Sequence, residues 1–247
     1  MSGHSKWHNI QATKSKADAA RGKIFTKIGR EIAVAVKLGG PDPNTNSKLY
    51  DVIQKAKANN MPNDNIQRSI KKAVGGEEGG NYDAVTYEGY GIRGVAFIVE
   101  CLTDNRNRTA ADVRHLFDKY NGALGSTGSV TYMFDYQGVI VTPKNESVGE
   151  DNIMMTALDS GADDVIVDLD NVYEIICKPE NLHAVRKAFE NAGDIISAEA
   201  QYVPQNVIEL DKESAISINK LIVALEDLDD VQNVYTNADL SVLDENQ

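Results

Sequence analysis

Residues 138–202 read GVIVTPKNESVGEDNIMMTALDSGADDVIVDLDNVYEIICKPENLHAVRKAFENAGDIISAEAQY, and their periodicity decides the fold. Short apolar runs at 138–142, 165–167, 172–177 and 195–202 have the length and residue types of strands. Between them, segments 150–159 and 182–192 carry apolar residues at helical spacing. The order βαββαβ predicts a ferredoxin-like unit over residues 135–205.

The flanks complete a second unit. Residues 85–88 and 95–102 read as a β-hairpin through GYGIRG, followed by a helix over 109–120, with Thr109 and Asp112 in capping-box spacing, and a strand over 130–134. That leaves the unit short of elements, and the tail offers a strand over 207–210, a helix over 214–228 and a strand over 231–235. The expectation is a discontinuous α+β domain, residues 81–134 plus 206–247, with the 135–205 unit inserted in it. Residues 1–80 carry helical periods instead. Ile24, Phe25, Ile28, Ile32, Ala35 and Val36 share one side of a helix over 23–38, and GGPDP at 39–43 breaks it. Ser47 is placed as N-cap of a second helix burying Leu49, Val52, Ile53 and Ala56, and Asn59-Asn60-Met61-Pro62 turns into a third with Ile66, Ile70, Ala73 and Val74. The fold class read from the chain is α+β: an N-terminal helical domain followed by two ferredoxin-like α+β domains, the third inserted in the second.

Charge is distributed unevenly. The net charge is −12, yet residues 1–75 hold 14 Lys and Arg against 5 Asp and Glu, and the remainder holds 11 against 32. A basic segment joined to an acidic body suits a polyanion bound at one end. On the first helix Lys23, Lys27, Arg30 and Lys37 fall within an arc of roughly 80° opposite the apolar stripe. Two readings stand for that arc, a nucleic-acid face and a plain solvated one. Ahead of it, Lys6, Lys14, Lys16 and Arg21 surround Trp7 and His8, where an indole or imidazole can stack on an unpaired base. Lys71 and Lys72 add cations to the third helix. In the acidic half, the loop TDNRNRT at 103–109 sets Arg106 and Arg108 beside the first amides of a helix, for polyanion contact or for bridging to the protein's own carboxylates. GSTGS at 125–129 is read as a turn or as a flexible backbone donor surface.

Other chemistry has no visible handle. No phosphate-binding glycine loop, nucleophile elbow or calcium loop occurs, so no enzyme activity, cofactor, metal or small-molecule substrate is expected. Asp227, Asp229 and Asp230 read as turn and solubility residues. Cys101 and Cys177 sit in apolar strand-like runs as structural thiols of a reducing compartment. The longest apolar runs fall short of a membrane span, and a cytoplasmic location is expected.

Several longer motifs carry a resemblance. GHSKWHNI at 3–10, RGKIFTKIGREI at 21–32, AKANNMPNDNIQRSIKKA at 56–73, YEGYG at 87–91, LTDNRNRTAADVRH at 102–115 and GSTGSVTYMF at 125–134 together closely resemble the YebC family. The family includes a mitochondrial translational activator of cytochrome oxidase. The resemblance implies three domains, helical then twice α+β. It further implies either a translation factor acting on RNA of stalled ribosomes, with Met61 and Pro62 facing the ribosome, or a DNA-binding transcriptional regulator. The chain departs from the family in YEGYGIRG, where YEGYGPGG is more usual, and in a less basic stretch at 11–23.

Overall fold

The structure, a computed structural model, describes residues 19–75, 81–144, 149–169, 171–190 and 195–243. Three helices come first: α1 (Ala19–Gly39), α2 (Ser47–Ala58) and α3 (Asn63–Gly75). Their apolar stripes meet in one cluster containing Ile28, Ile32, Ala35, Leu49, Ile53, Ala56, Met61, Ile66 and Ile70. None of the three stripes is buried by its own helix, so the bundle forms because each covers the others. Asn46, one residue before the expected Ser47, is the N-cap of α2. Its Oδ1 accepts from the Leu49 amide at 3.1 Å, while Nδ2 donates to the carbonyls of Ala35 and Gly40, each at 2.8 Å. One buried amide thus caps α2 and ties it to the end of α1.

The first sheet has strand order β3-β1-β2-β8 and consists of β1 (Asp83–Tyr90), β2 (Ala96–Thr103), β3 (Ala123–Leu124) and β8 (Val231–Thr236). Helices α4 (Arg106–Lys119) and α7 (Lys212–Glu226) cover one face, burying Phe97, Val99, Cys101, Val113, Phe117, Ile218, Leu221 and Leu225. β8 pairs with β2 antiparallel across more than a hundred residues of chain, with Gln232 as an unpaired bulge between Val231 and Asn233. The second sheet has order β5-β6-β4-β7, from β4 (Phe134–Pro143), β5 (Asp164–Ile166), β6 (Val172–Cys177) and β7 (Ser197–Pro204). All its pairings are antiparallel, and α5 (Glu150–Ser160) and α6 (Leu182–Glu190) pack on it over Ile140, Ile153, Ala157, Ile175, Val185 and Phe189.

Three further local expectations need correction. Helix α4 begins at Arg106 because Asn105, and not Thr109, accepts the capping bond from the Arg108 amide, at 3.1 Å. Residues 130–133 are no strand. The buried Glu88 carboxylate accepts the amides of Gly128, Val130 and Thr131 at 2.6, 2.8 and 2.9 Å, which takes those donors away from a ladder. A single 3-10 turn, Thr131–Met133, follows instead, and the sheet edge is supplied by β3. Residues 207–210 make only an isolated parallel bridge, Ile208 to Ala238, before Asp211 caps α7.

The family departure at GIRG lies in the β1–β2 connection, where Arg93 takes φ 60°, a conformation that favours glycine. Its guanidinium bridges Asp211 at 3.2 Å. Replacing Asn46 by Ala is expected to cost about 2 kcal/mol of unfolding free energy. Arg93→Gly is expected to add about 0.5 kcal/mol, because relief of backbone strain exceeds the loss of an exposed ion pair. Urea unfolding with an unchanged slope checks both.

Candidate nucleic-acid interface

The inner face of α1 meets the α7–β8 turn, and its centre is Asp230, 7% exposed. Arg30 donates to Asp230 Oδ1 at 2.6 Å and to the carbonyls of Leu102 and Asp229 at 3.0 and 2.7 Å. Arg108 from α4 reaches Asp230 Oδ2 at 2.8 Å, and the hydroxyls of Thr103 and Thr109 donate to that oxygen at 3.1 and 2.7 Å. Burial alone would raise the Asp230 carboxyl, but the bonds from Arg108, Thr109 and Arg30 outweigh it and hold the group at about 2. A residue read from sequence as a turn acid is therefore the buried anion that joins four segments. It stood among 37 acidic residues, and no local pattern set it apart.

Around this centre the cations of α1 are engaged by the chain itself. Lys23 Nζ contacts Asp227 Oδ1 at 2.5 Å and its carbonyl at 3.2 Å, and Lys27 Nζ donates to the Glu226 carbonyl at 2.7 Å. These carbonyls belong to the C-terminal turn of α7, where unpaired acceptors and the helix dipole favour cations. Burial lowers the Lys27 ammonium, with Glu226 and Asp229 opposing it, and burial raises the Glu226 carboxyl. Lys37 donates to Asn81. Arg106 bridges Asp83 at 2.9 Å, and Arg108 bridges Asp104 at 2.7 Å besides Asp230. For Lys23, Lys27, Arg30, Arg106 and Arg108 the intramolecular reading of the charge is the geometry observed.

A second contact fixes α2 to the other sheet. Lys55 Nζ lies 2.9 Å from Glu31 and 3.6 Å from Glu199 on β7. Burial opposes the Lys55 charge, but Glu199 and Glu31 outweigh it and hold the ammonium above its ordinary range. Tyr50 donates to Glu190 at 2.8 Å, and His183 Nδ1 lies 3.1 Å from Asp51.

Helix α3 packs on α1 and α2 and turns the rest of its surface outward. Gln67, Arg68, Lys71 and Lys72 are exposed there, with Lys57 exposed at the end of α2 and Arg21 at the start of α1. The Arg68 guanidinium donates to the Asn65 amide oxygen at 3.4 Å. Met61 is buried at 6% in the bundle core, so of the Met61-Pro62 pair only Pro62 reaches the surface. Asn60 precedes them at φ 58°, the left-handed turn that aims α3 back across α2. Lys6, Trp7, His8, Lys14 and Lys16 lie outside the described residues. The GSTGS loop is a turn whose Gly128 amide, with those of Val130 and Thr131 beyond it, is taken by Glu88; burial would raise that carboxyl, but these bonds hold it low.

Burial pushes the Cys101 thiol up to about 12 and the Cys177 thiol up to about 11, as expected of thiols held un-ionised in cores. Among the described residues no group of three or more His, Cys, Asp or Glu side chains could hold a metal ion, and no helix is long and apolar enough to cross a membrane.

A helical bundle clamped by a buried carboxylate to one antiparallel sheet, and by a shared lysine to another, defines a three-part α+β architecture. The chain belongs to the TACO1/YebC family: a family model described as "TACO1/YebC protein N-terminal domain" matches residues 5–76, and one described as "TACO1/YebC second and third domain" matches residues 82–238. A relative from Acetivibrio thermocellus is 59% identical over 239 residues, 96% of this chain and 98% of its own. Another, from Ruminiclostridium cellulolyticum, is 60% identical over 230 residues, 92% of each chain. Both bear the name "Probable transcriptional regulatory protein". A crystal structure of a conserved hypothetical protein from Aquifex aeolicus is similar with a TM-score of 0.83 at 44% identity, covering 95% of this chain and 97% of that one.

The Asp230 contact has a defined acid dependence. A carboxyl held at about 2 in the fold, against 3.8 ordinarily, contributes stability that is fully present above about pH 4 and lost as pH falls through about 2. Asp230→Asn is expected to lower stability by about 3 kcal/mol at neutral pH, since it leaves Arg30 and Arg108 without their buried anion. The gap between variant and parent should narrow across the same acid window in a pH series of urea melts.

Proposed function

We propose that this protein is a non-enzymatic regulator of gene expression that binds structured RNA on the ribosome and relieves stalled synthesis. The observation that carries the reading is the sidedness of the charge. Lys23, Lys27 and Arg30 of α1 are engaged within the molecule, whereas Arg68 and Lys71 on α3, with Lys57, stand on the outer surface of the basic third of the chain. Gln67, Arg68 and Lys71 lie on one exposed side of α3 and supply an amide, a guanidinium and an ammonium, a set that can grip phosphate and read base edges. Lys6, Trp7, His8, Lys14 and Lys16 extend the same basic end of the sequence, and an indole and an imidazole are side chains of the kind that stack on unpaired bases. The acidic body restricts the footprint, because a long duplex lying along the protein would meet 32 Asp and Glu against 11 Lys and Arg.

A second reading, a DNA-binding transcriptional regulator, is favoured by the names of the relatives. It requires operator DNA to be preferred over random duplex by at least about 4 kcal/mol.

Sedimentation with ribosomes across a salt series tests the first reading. The double change Arg68→Glu with Lys71→Glu is expected to weaken binding at least about tenfold and to flatten the salt slope by about two. Lys23→Gln, at a cation already paired with Asp227, should leave the slope unchanged. Failure of the parent protein to sediment at low salt, together with operator selectivity of the stated size, decides for DNA.

A further inference from the structure

Helix α5 is apolar on two sides. Ile153 and Ala157 face the second sheet and are buried, as an amphipathic helix requires. On the opposite side Met154, Met155 and Leu158 are 48%, 63% and 78% exposed. Met154 and Leu158 are four residues apart and Met155 and Leu158 three, so the three side chains form one patch on the helix surface. The helix and the strand segment that follows it are of one sign: residues 149–169 contain Glu150, Asp151, Asp159, Asp163, Asp164 and Asp168 and no Lys or Arg. Asp151 and Asp159 are exposed at the two ends of the patch.

We propose that this face of α5 docks a cationic amphipathic helix of a partner protein. The charge around the patch selects the occupant. A second copy would bring two acidic rims together around the shared apolar centre, and an anionic membrane would be repelled in the same way. A helix with leucine-like residues on one side and lysines or arginines flanking them buries the patch and pairs with Asp151 and Asp159 together. Methionine suits such a surface, because its unbranched, polarisable side chain fits more than one partner shape. The proposal rests on α5 alone and stands apart from the RNA reading of α3.

The test uses the full chain and three labelled peptides in fluorescence anisotropy. They are a Leu/Lys peptide of helical period, a scrambled peptide of the same composition, and a Leu/Glu peptide of helical period. The Leu/Lys helix is expected to bind at least about tenfold more tightly than the scrambled peptide, and the Leu/Glu helix not at all. Met155→Ser with Leu158→Ser should remove that preference with no change in unfolding midpoint or in ribosome sedimentation. Asp151→Asn with Asp159→Asn should weaken binding and flatten its salt dependence. Equal binding of helical and scrambled peptides overturns the proposal, as does indifference to the serine pair. Patch-dependent binding to phosphatidylglycerol vesicles, or patch-dependent self-association, would overturn it in favour of a membrane or a second copy.

Discussion

The arrangement of the whole molecule depends on a buried carboxylate that cannot be left unpaired. Asp230 receives Arg30 from the helical bundle, Arg108 from α4, and the hydroxyls of Thr103 and Thr109, so the cost of taking its charge out of water is offset only when all these segments are in place. Hydrophobic burial explains each layer separately, since each has its own apolar cluster. It does not fix how the bundle is set against the sheets. That orientation follows from directional bonds to one residue, supported on the other side by Lys55 between Glu31 and Glu199.

This constraint changes what the charge pattern of the sequence means. The basic first third and the acidic remainder look like separate surfaces when charges are counted along the chain. In the fold, much of the opposite charge meets internally: α1 lies against the carbonyl-rich, acidic end of α7. The positive surface is consequently narrower than the sequence suggests, since Lys23, Lys27 and Arg30 on α1 are paired within the molecule.

The class of fold was legible because it rests on local periods. The βαββαβ order of the second sheet, the hairpin of the first and the three helical stripes were each visible in spacing alone, and the β5-β6-β4-β7 order is the arrangement such a succession adopts. Two of the errors share a cause, which is a side chain that competes for backbone amides. Glu88, some forty residues upstream, takes the amides that residues 128–131 would have offered a strand, and Asn105 captures the cap assigned to Thr109. The site was less legible still. Periodicity shows that Lys23, Lys27 and Arg30 share one side of a helix, but the identity of their partners depends on contacts across about two hundred residues of chain, which spacing cannot reveal.

The docking of α1 onto α7 also bears on how pieces of this molecule behave. A fragment ending near Gly75 would keep its apolar core, yet strip Lys23, Lys27 and Arg30 of the carbonyls and carboxylates that occupy them. Such a truncated bundle would show a sticky, indiscriminate attraction to any polyphosphate, a property created by the cut. Affinities measured on isolated N-terminal fragments would overstate what the intact chain can do and misplace the surface responsible.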